Sequence, residues 1–252
     1  MMKHWPGGGP EEGGRDAHYA YGKYAVYPGN NLDEHLISFV DGALKLSGKT
    51  MQAAAVMPYY TISYGRDIKN KEDRGNSYSK YLITDLLRTK YGYDGVVCTD
   101  WLVTADEAKT PDVFLAGKSW GMEDKTVAER HYKILMAGVD QFGGNNDAGP
   151  VLEAYQMGVK EHGEPFMRAR FEQSAVRLLR NIFRTGLFEN PYLDVQHSAK
   201  TVGNPDFMTA GYNAQLKSIV MLKNQNHVLP IAKTKTVYIP KKYVAPNKSI
   251  DR

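Results

Sequence analysis

Short apolar runs alternating with helical spacing constrain the fold of this chain more than any other feature. Residues 52–57 form an apolar run stopped by Pro58, and residues 95–98 form another. Residues 138–142 read as a third. Each is too short for a helix and suits a buried strand. Between and beside them, apolar residues recur every three or four positions. Leu36, Phe39, Val40, Ala43 and Leu44 mark a helix over 32–46. Tyr81, Leu82, Leu86 and Leu87 mark a second, capped by Ser77 or Ser79 and ending near Gly92. A third fits 131–137. Glu164-Pro165 opens a long fourth helix, with Phe171, Ala175, Val176, Leu178, Leu179, Ile182 and Phe183 as its apolar stripe and Gly186 as its stop. Strands alternating with helices imply βαβ units and a parallel sheet. The first thirty residues, with Gly7-Gly8-Gly9-Pro10 and Gly13-Gly14, read as loop.

Asn190-Pro191 begins a linker that runs to about Pro205. A helix-like segment (207–222) and a strand-like one (236–239) follow. The chain has 252 residues, enough for one large domain or two small ones, and a net charge of +4. Its basic residues are scattered, so nucleic-acid binding is not indicated. No apolar stretch has membrane-spanning length. One cysteine, Cys98, allows no internal disulfide and leaves the redox compartment open. The histidines are scattered without cysteine partners, which gives no metal site. No Gly-x-Ser-x-Gly elbow is present.

Asp100 follows the 95–98 strand directly, between Thr99 and Trp101. At a strand end, a carboxylate beside an aromatic can attack or steady a sugar carbon while the ring supplies a stacking face. The same segment also suits a carboxylate that caps the next helix. Lys3-His4, ahead of three glycines, offers two hydrogen-bond donors to a polar ligand, or is a disordered end. Tyr59 and Tyr60 close the 52–57 strand; each offers a hydroxyl and a ring, or simply packs in the core. Glu11, Glu12, Arg15, Asp16 and His18 crowd one loop, as a site or as a solvated surface. Asp140 reads as a structural carboxylate satisfied by nearby backbone donors.

Five local matches, in order, make the chain resemble glycoside hydrolase family 3. They are Lys3-His4-Trp5-Pro6-Gly7; Tyr27-Pro28-Gly29 with Glu34-His35-Leu36; and Val56-Met57-Pro58-Tyr59-Tyr60. The fourth and most specific is Leu86-Leu87-Arg88 through Gly92-Tyr93-Asp94-Gly95-Val96-Val97-Cys98-Thr99-Asp100-Trp101, with Thr99 where the family usually has Ser. The fifth runs from Ala137-Gly138-Val139-Asp140 through Gly186-Leu187-Phe188 to Val220-Met221-Leu222-Lys223-Asn224 and Leu229-Pro230.

The resemblance implies an α/β fold: residues 1–190 as the C-terminal βα units of a partial (β/α)8 barrel, 191–205 as linker, and 206–252 as the start of an α/β sandwich domain. It implies a retaining β-glucosidase-like enzyme with Asp100 as nucleophile and a β-glycoside or oligosaccharide as substrate. Lys3, His4, Tyr60, Trp101 and Arg15 make the substrate-binding set, and no cofactor is implied. The family's upstream Asp and Arg would lie before Met1, and its acid/base Glu beyond Arg252, so the chain reads as a fragment inactive by itself. Asp16-Ala17-His18 is similar to the Asp-Ser-His motif of the family's N-acetylglucosaminidase branch, which would make His18 the acid/base. A non-catalytic carbohydrate-binding relative is a further alternative. Sugar, linkage, oligomeric state and compartment (periplasmic, secreted or cytoplasmic) stay open.

Overall fold

A computed structural model describes residues 1–241. The chain divides into two compact units, 1–191 and 192–252. Residues 242–252, the end of the expected second-domain segment, lie outside the described residues.

Unit one holds five short strands: β1 (Met2–Trp5), β2 (Tyr24–Ala25), β3 (Ala55–Pro58), β4 (Ile62–Ser63) and β5 (Val96–Val97). One sheet has the order β1-β3-β5 and a second pairs β2 with β4. Every pairing is parallel. Helix α1 (Leu32–Ile37), which continues as wide turns to Ala43, links β1 to β3. A wide-turned helix (Tyr81–Lys90) links β3 to β5. After β5 come α2 (Val127–Ala137), α3 (Gly149–His162) and α4 (Glu164–Arg184). This is an α/β fold with parallel sheets. Unit two holds α5 (Val195–Thr201), capped by Asp194, and α6 (Pro205–Ser218), capped by Asn204. No helix among the described residues is long and apolar enough to cross a membrane.

The core forms where the sheet meets the helices. Trp5, Leu36, Val56, Leu82, Ile83, Leu87, Val97, Ile134 and Val139 are buried together. The Trp5 indole N–H donates to the Leu82 carbonyl at 3.1 Å, which lets the large ring be buried without a stranded donor. Helix α2 starts where its sequence requires. Thr126 Oγ1 accepts from the Glu129 amide and Glu129 returns the bond to the Thr126 amide, a reciprocal cap.

Four expectations are corrected. Residues 2–5 form β1 rather than loop, because an apolar flank (Met2, Trp5) pairs with the buried β3. Residues 138–142 make only a single bridge, Cys98 to Gln141. Residues 236–239 form no strand. The apolar stripe of α4 is largely exposed, with Phe183 at 59%. What faces inward instead is the row Met167, Arg170, Ser174, Arg177 and Asn181, spaced at helical three-four intervals. Met167 and Ser174 are buried, and Asn181 Nδ2 donates to the Ala54 carbonyl.

That row exists to meet Asp140. The Asp140 side chain is fully buried, and it is shared by Arg88 at 2.6 Å, Arg177 at 3.0 Å and Arg170 at 3.7 Å. Ser174 and the Val97 amide also donate to it. Burial lowers the Arg88 and Arg170 ionisations, the latter to about 10, and the Asp140 charge opposes that shift. Removing the carboxylate leaves buried cations without a counter-charge, which costs about 3–5 kcal/mol. Asp140→Ala is expected to lower the urea unfolding midpoint of unit one accordingly; a loss below about 0.5 kcal/mol, the range of ordinary surface substitutions, would contradict the role given to this cluster.

Candidate active site

The three adjacent parallel strands deliver their side chains to one edge. β1 carries Lys3 and His4, β3 leads into Tyr59 and Tyr60, and β5 leads into Thr99, Asp100 and Trp101. The crossing is fixed by backbone bonds: the Tyr59 amide donates to Trp5, the Cys98 amide to Val56 and the Thr99 amide to Gln141. Thr99 Oγ1 accepts from the Gly143 amide at 2.9 Å, a role a hydroxyl of either Ser or Thr fills.

Asp100 is 6% exposed. Its Oδ1 accepts from the Trp101 amide at 2.8 Å. Its Oδ2 is buried and takes no hydrogen bond among the described residues, although His4 Nε2 stands 3.4 Å away. This oxygen is one of several buried polar atoms without a hydrogen bond, and it stands out by its place at the end of β5 beside His4. Trp101 is half exposed, and its indole lies across Gly144. A Cβ on Gly144 would meet the ring at 2.0 Å, and Gly144 sits at φ +66°, so only glycine admits this ring position.

The surrounding groups feel Asp100. Burial, then the Asp100 charge, raises the Tyr60 phenol above its ordinary range. Burial likewise raises Tyr59, followed by its hydrogen bond to Glu11 Oε1 at 2.7 Å. Burial lowers the His4 ionisation, and Asp100 partly offsets it, while Lys3 and His18 add to the lowering. The Cys98 thiol is pushed up to about 11 by burial and then by Asp100.

The rim comes from two loops. His18 Nδ1 pairs with Asp16 Oδ1 at 2.7 Å. The His18 ring lies 5.4 Å from Tyr60 and stacks on Phe114 at 5.0 Å, 14° from parallel. The Ala20 amide donates to Pro111, joining the loops. Lys3, beside His4, and Arg15 are both exposed, and neither forms an ion pair among the described residues. Thus His4 stands against Asp100, Tyr60 feels its charge, Trp101 follows it in sequence, and His18 packs on Tyr60 at the rim, while Lys3 and Arg15 are exposed. Sequence reasoning missed Lys118, Phe114 and the role of Glu11. Lys118 and Phe114 fall in a stretch without periodicity, and Glu11 is one charge among several in its loop.

The site thus comprises a buried carboxylate at the end of a parallel strand in an α/β fold. No protein-family model matches the chain. β-Glucosidase C of Emericella nidulans is 39% identical over 233 residues, 92% of this chain and 35% of that protein. The periplasmic β-glucosidase/β-xylosidase of Dickeya chrysanthemi is 37% identical over 253 residues, 95% of this chain and 36% of that protein. The solved β-glucosidase of Listeria innocua in complex with glucose superposes with a TM-score of 0.60 at 18% identity, over 91% of this chain and 27% of that one, which shows the fold. The chain spans about a third of the length of these curated relatives. It belongs to glycoside hydrolase family 3.

A histidine titration checks the electrostatics. By NMR, His4 is expected to titrate below the ordinary imidazole value of 6.5. Asp100→Asn removes the one charge that favours the protonated ring, so the midpoint falls further. A midpoint that rises in the variant would contradict the contact.

Proposed function

We propose that the chain carries the nucleophile half of a retaining glycoside hydrolase site that releases non-reducing terminal β-linked sugars. The observation that carries this reading is Asp100 Oδ2: buried, without a donor, beside His4, and at the end of a parallel strand. Asp100 attacks the anomeric carbon and forms a glycosyl-enzyme intermediate; water then releases the sugar. His4 and Tyr60 hold sugar hydroxyls, and Trp101 offers its exposed ring to the glycoside. Lys3 and Arg15, at the rim, reach inward only once a sugar is present. The sequence similarity to β-glucosidases supports the substrate class, a β-glycoside or oligosaccharide.

Two architectural proposals accompany it. The β1-β3-β5 sheet with its helices forms part of a (β/α)8 barrel, consistent with active-site residues gathered at strand C-terminal ends. Residues 191–205 serve as linker to an α/β sandwich domain. The acid/base is then a glutamate in the portion of the relatives' length that this chain does not span.

One geometric feature favours a second reading. The His18–Asp16 pair stands at the rim with the His18 ring against Tyr60. A carboxylate-oriented imidazole is a competent proton donor and acceptor. In that reading His18 is the acid/base, as in the N-acetylglucosaminidase branch.

A glycoside with an excellent leaving group tests the nucleophile without any acid catalyst. Incubation with 2,4-dinitrophenyl 2-deoxy-2-fluoro-β-D-glucoside is expected to add one fluoroglucosyl group to the peptide containing Asp100, and none in Asp100→Asn. A label on another carboxylate would sink the assignment. With natural β-glucosides, which need the proton, His18→Phe separates the two acid/base readings: a loss of about 10²–10⁴-fold favours His18, and an unchanged rate favours the external glutamate.

A further inference from the structure

Lys118 is 3% exposed, a position lysine almost never takes without compensation. It forms no close ion pair among the described residues. Its Nζ instead donates to the Ala116 carbonyl at 2.7 Å and the Phe114 carbonyl at 3.1 Å. It also lies 4.9 Å from the centre of the Tyr60 ring. Two carbonyl oxygens and an aromatic face are all electron-rich, and together they accommodate an ammonium. Burial works against the charged form, while Asp100 and then Asp16 work for it. The phenol of Tyr60, whose ring Lys118 covers, feels Asp100. A buried cation therefore lies against the Tyr60 ring, and both feel the Asp100 charge.

We infer that Lys118 is a positioning residue for the chemistry at Asp100: held over Tyr60, its charge sustains the negative charge needed for attack, and its two carbonyl bonds fix the loop that sets Phe114 against His18. The inference rests on the nucleophile reading above. No sequence signature announces it. Lys3, adjacent to His4 in sequence, is exposed.

The groups facing Asp100 are His4, Tyr60, Cys98 and Lys118, and those facing Lys118 are Asp100, Asp16 and Tyr60. His18 bears on His4 from the rim. All but Lys118 stay in place in the variants below, so a change in pH profile reports the lysine.

The test uses the fluoroglucoside probe. The Asp100 Oδ2–C1 bond forms as the C1–O bond breaks, and the electron pair leaves on dinitrophenolate. No proton is transferred, so the identity of the acid/base does not enter. Dinitrophenolate release is followed against pH for the wild type, Lys118→Met, Lys118→Gln and Lys118→Arg. Loss of the charge in the Met and Gln variants is expected to move the acid-side fall in rate upward by about one pH unit or more. That makes labelling roughly tenfold slower at the acidic end. Arg keeps the charge and the wild-type fall. Uniform slowing at every pH, with the fall unmoved, would mean loop support alone and overturn the inference. If Lys118→Met fails to fold, Lys118→Gln, which retains donors for the two carbonyls, carries the decision. A wild type labelled elsewhere than Asp100 overturns the nucleophile reading; a wild type labelled on Asp100 with an unmoved fall in the Gln variant overturns the Lys118 inference alone.

Discussion

Asp140 takes hydrogen bonds from Arg88, Arg177, Ser174 and the Val97 amide while buried from water. The four donors come from three parts of unit one: Arg88 from the helix before β5, Ser174 and Arg177 from α4, and the Val97 amide from β5 itself. Arg88 extends the tie to the carbonyls of Gly95 and Gly138, on either side of the strand. Charge-assisted bonds of this kind are short and directional. The cluster therefore fixes β5 in position along its axis, three residues before Asp100. The isolated bridge from Cys98 to Gln141 continues the same line. With β5 fixed, β3 and β1 follow through parallel pairing, and their ends bring Tyr60 and His4 to the same edge.

The candidate site then inherits its character from an imbalance. Around β5 the named polar groups are satisfied: Asp140 by its arginines, Thr99 by Gly143, the Cys98 and Thr99 amides by Val56 and Gln141. At Asp100, one oxygen is satisfied by the Trp101 amide and the other is left open. Rigidity beneath and an unspent acceptor above are what a nucleophile requires, since geometry has to be held before substrate arrives.

Much of this was legible in the chain. The apolar runs gave β3 and β5, and the place of Asp100 after β5 follows from them. Residues 131–137 read as helix, but α2 begins four residues earlier at the Thr126–Glu129 cap, and Pro165 and Gly186 bracket α4. Other parts were not legible, for physical reasons. β1 is one strand edge of a sheet, and its sequence, Met2 to Trp5, lacks an uninterrupted apolar run; only pairing with β3 makes it a strand. The face α4 turns inward is basic, so hydrophobic periodicity pointed to the opposite side. Lys118 and Phe114 gain their roles from a loop that folds back over Tyr60, a contact about sixty residues distant in sequence. The pairing of His18 with Asp16 is local, but its approach to Tyr60 is not.

The central claim is that Asp100 Oδ2 faces the reacting carbon of a bound sugar. A crystal structure of the protein with glucose bound tests it most directly. The account predicts the anomeric carbon about 3–3.5 Å from Asp100 Oδ2, with His4 and Tyr60 on the sugar hydroxyls. Glucose seated with its anomeric carbon against a different carboxylate, or turned with a far hydroxyl toward Asp100, would contradict it.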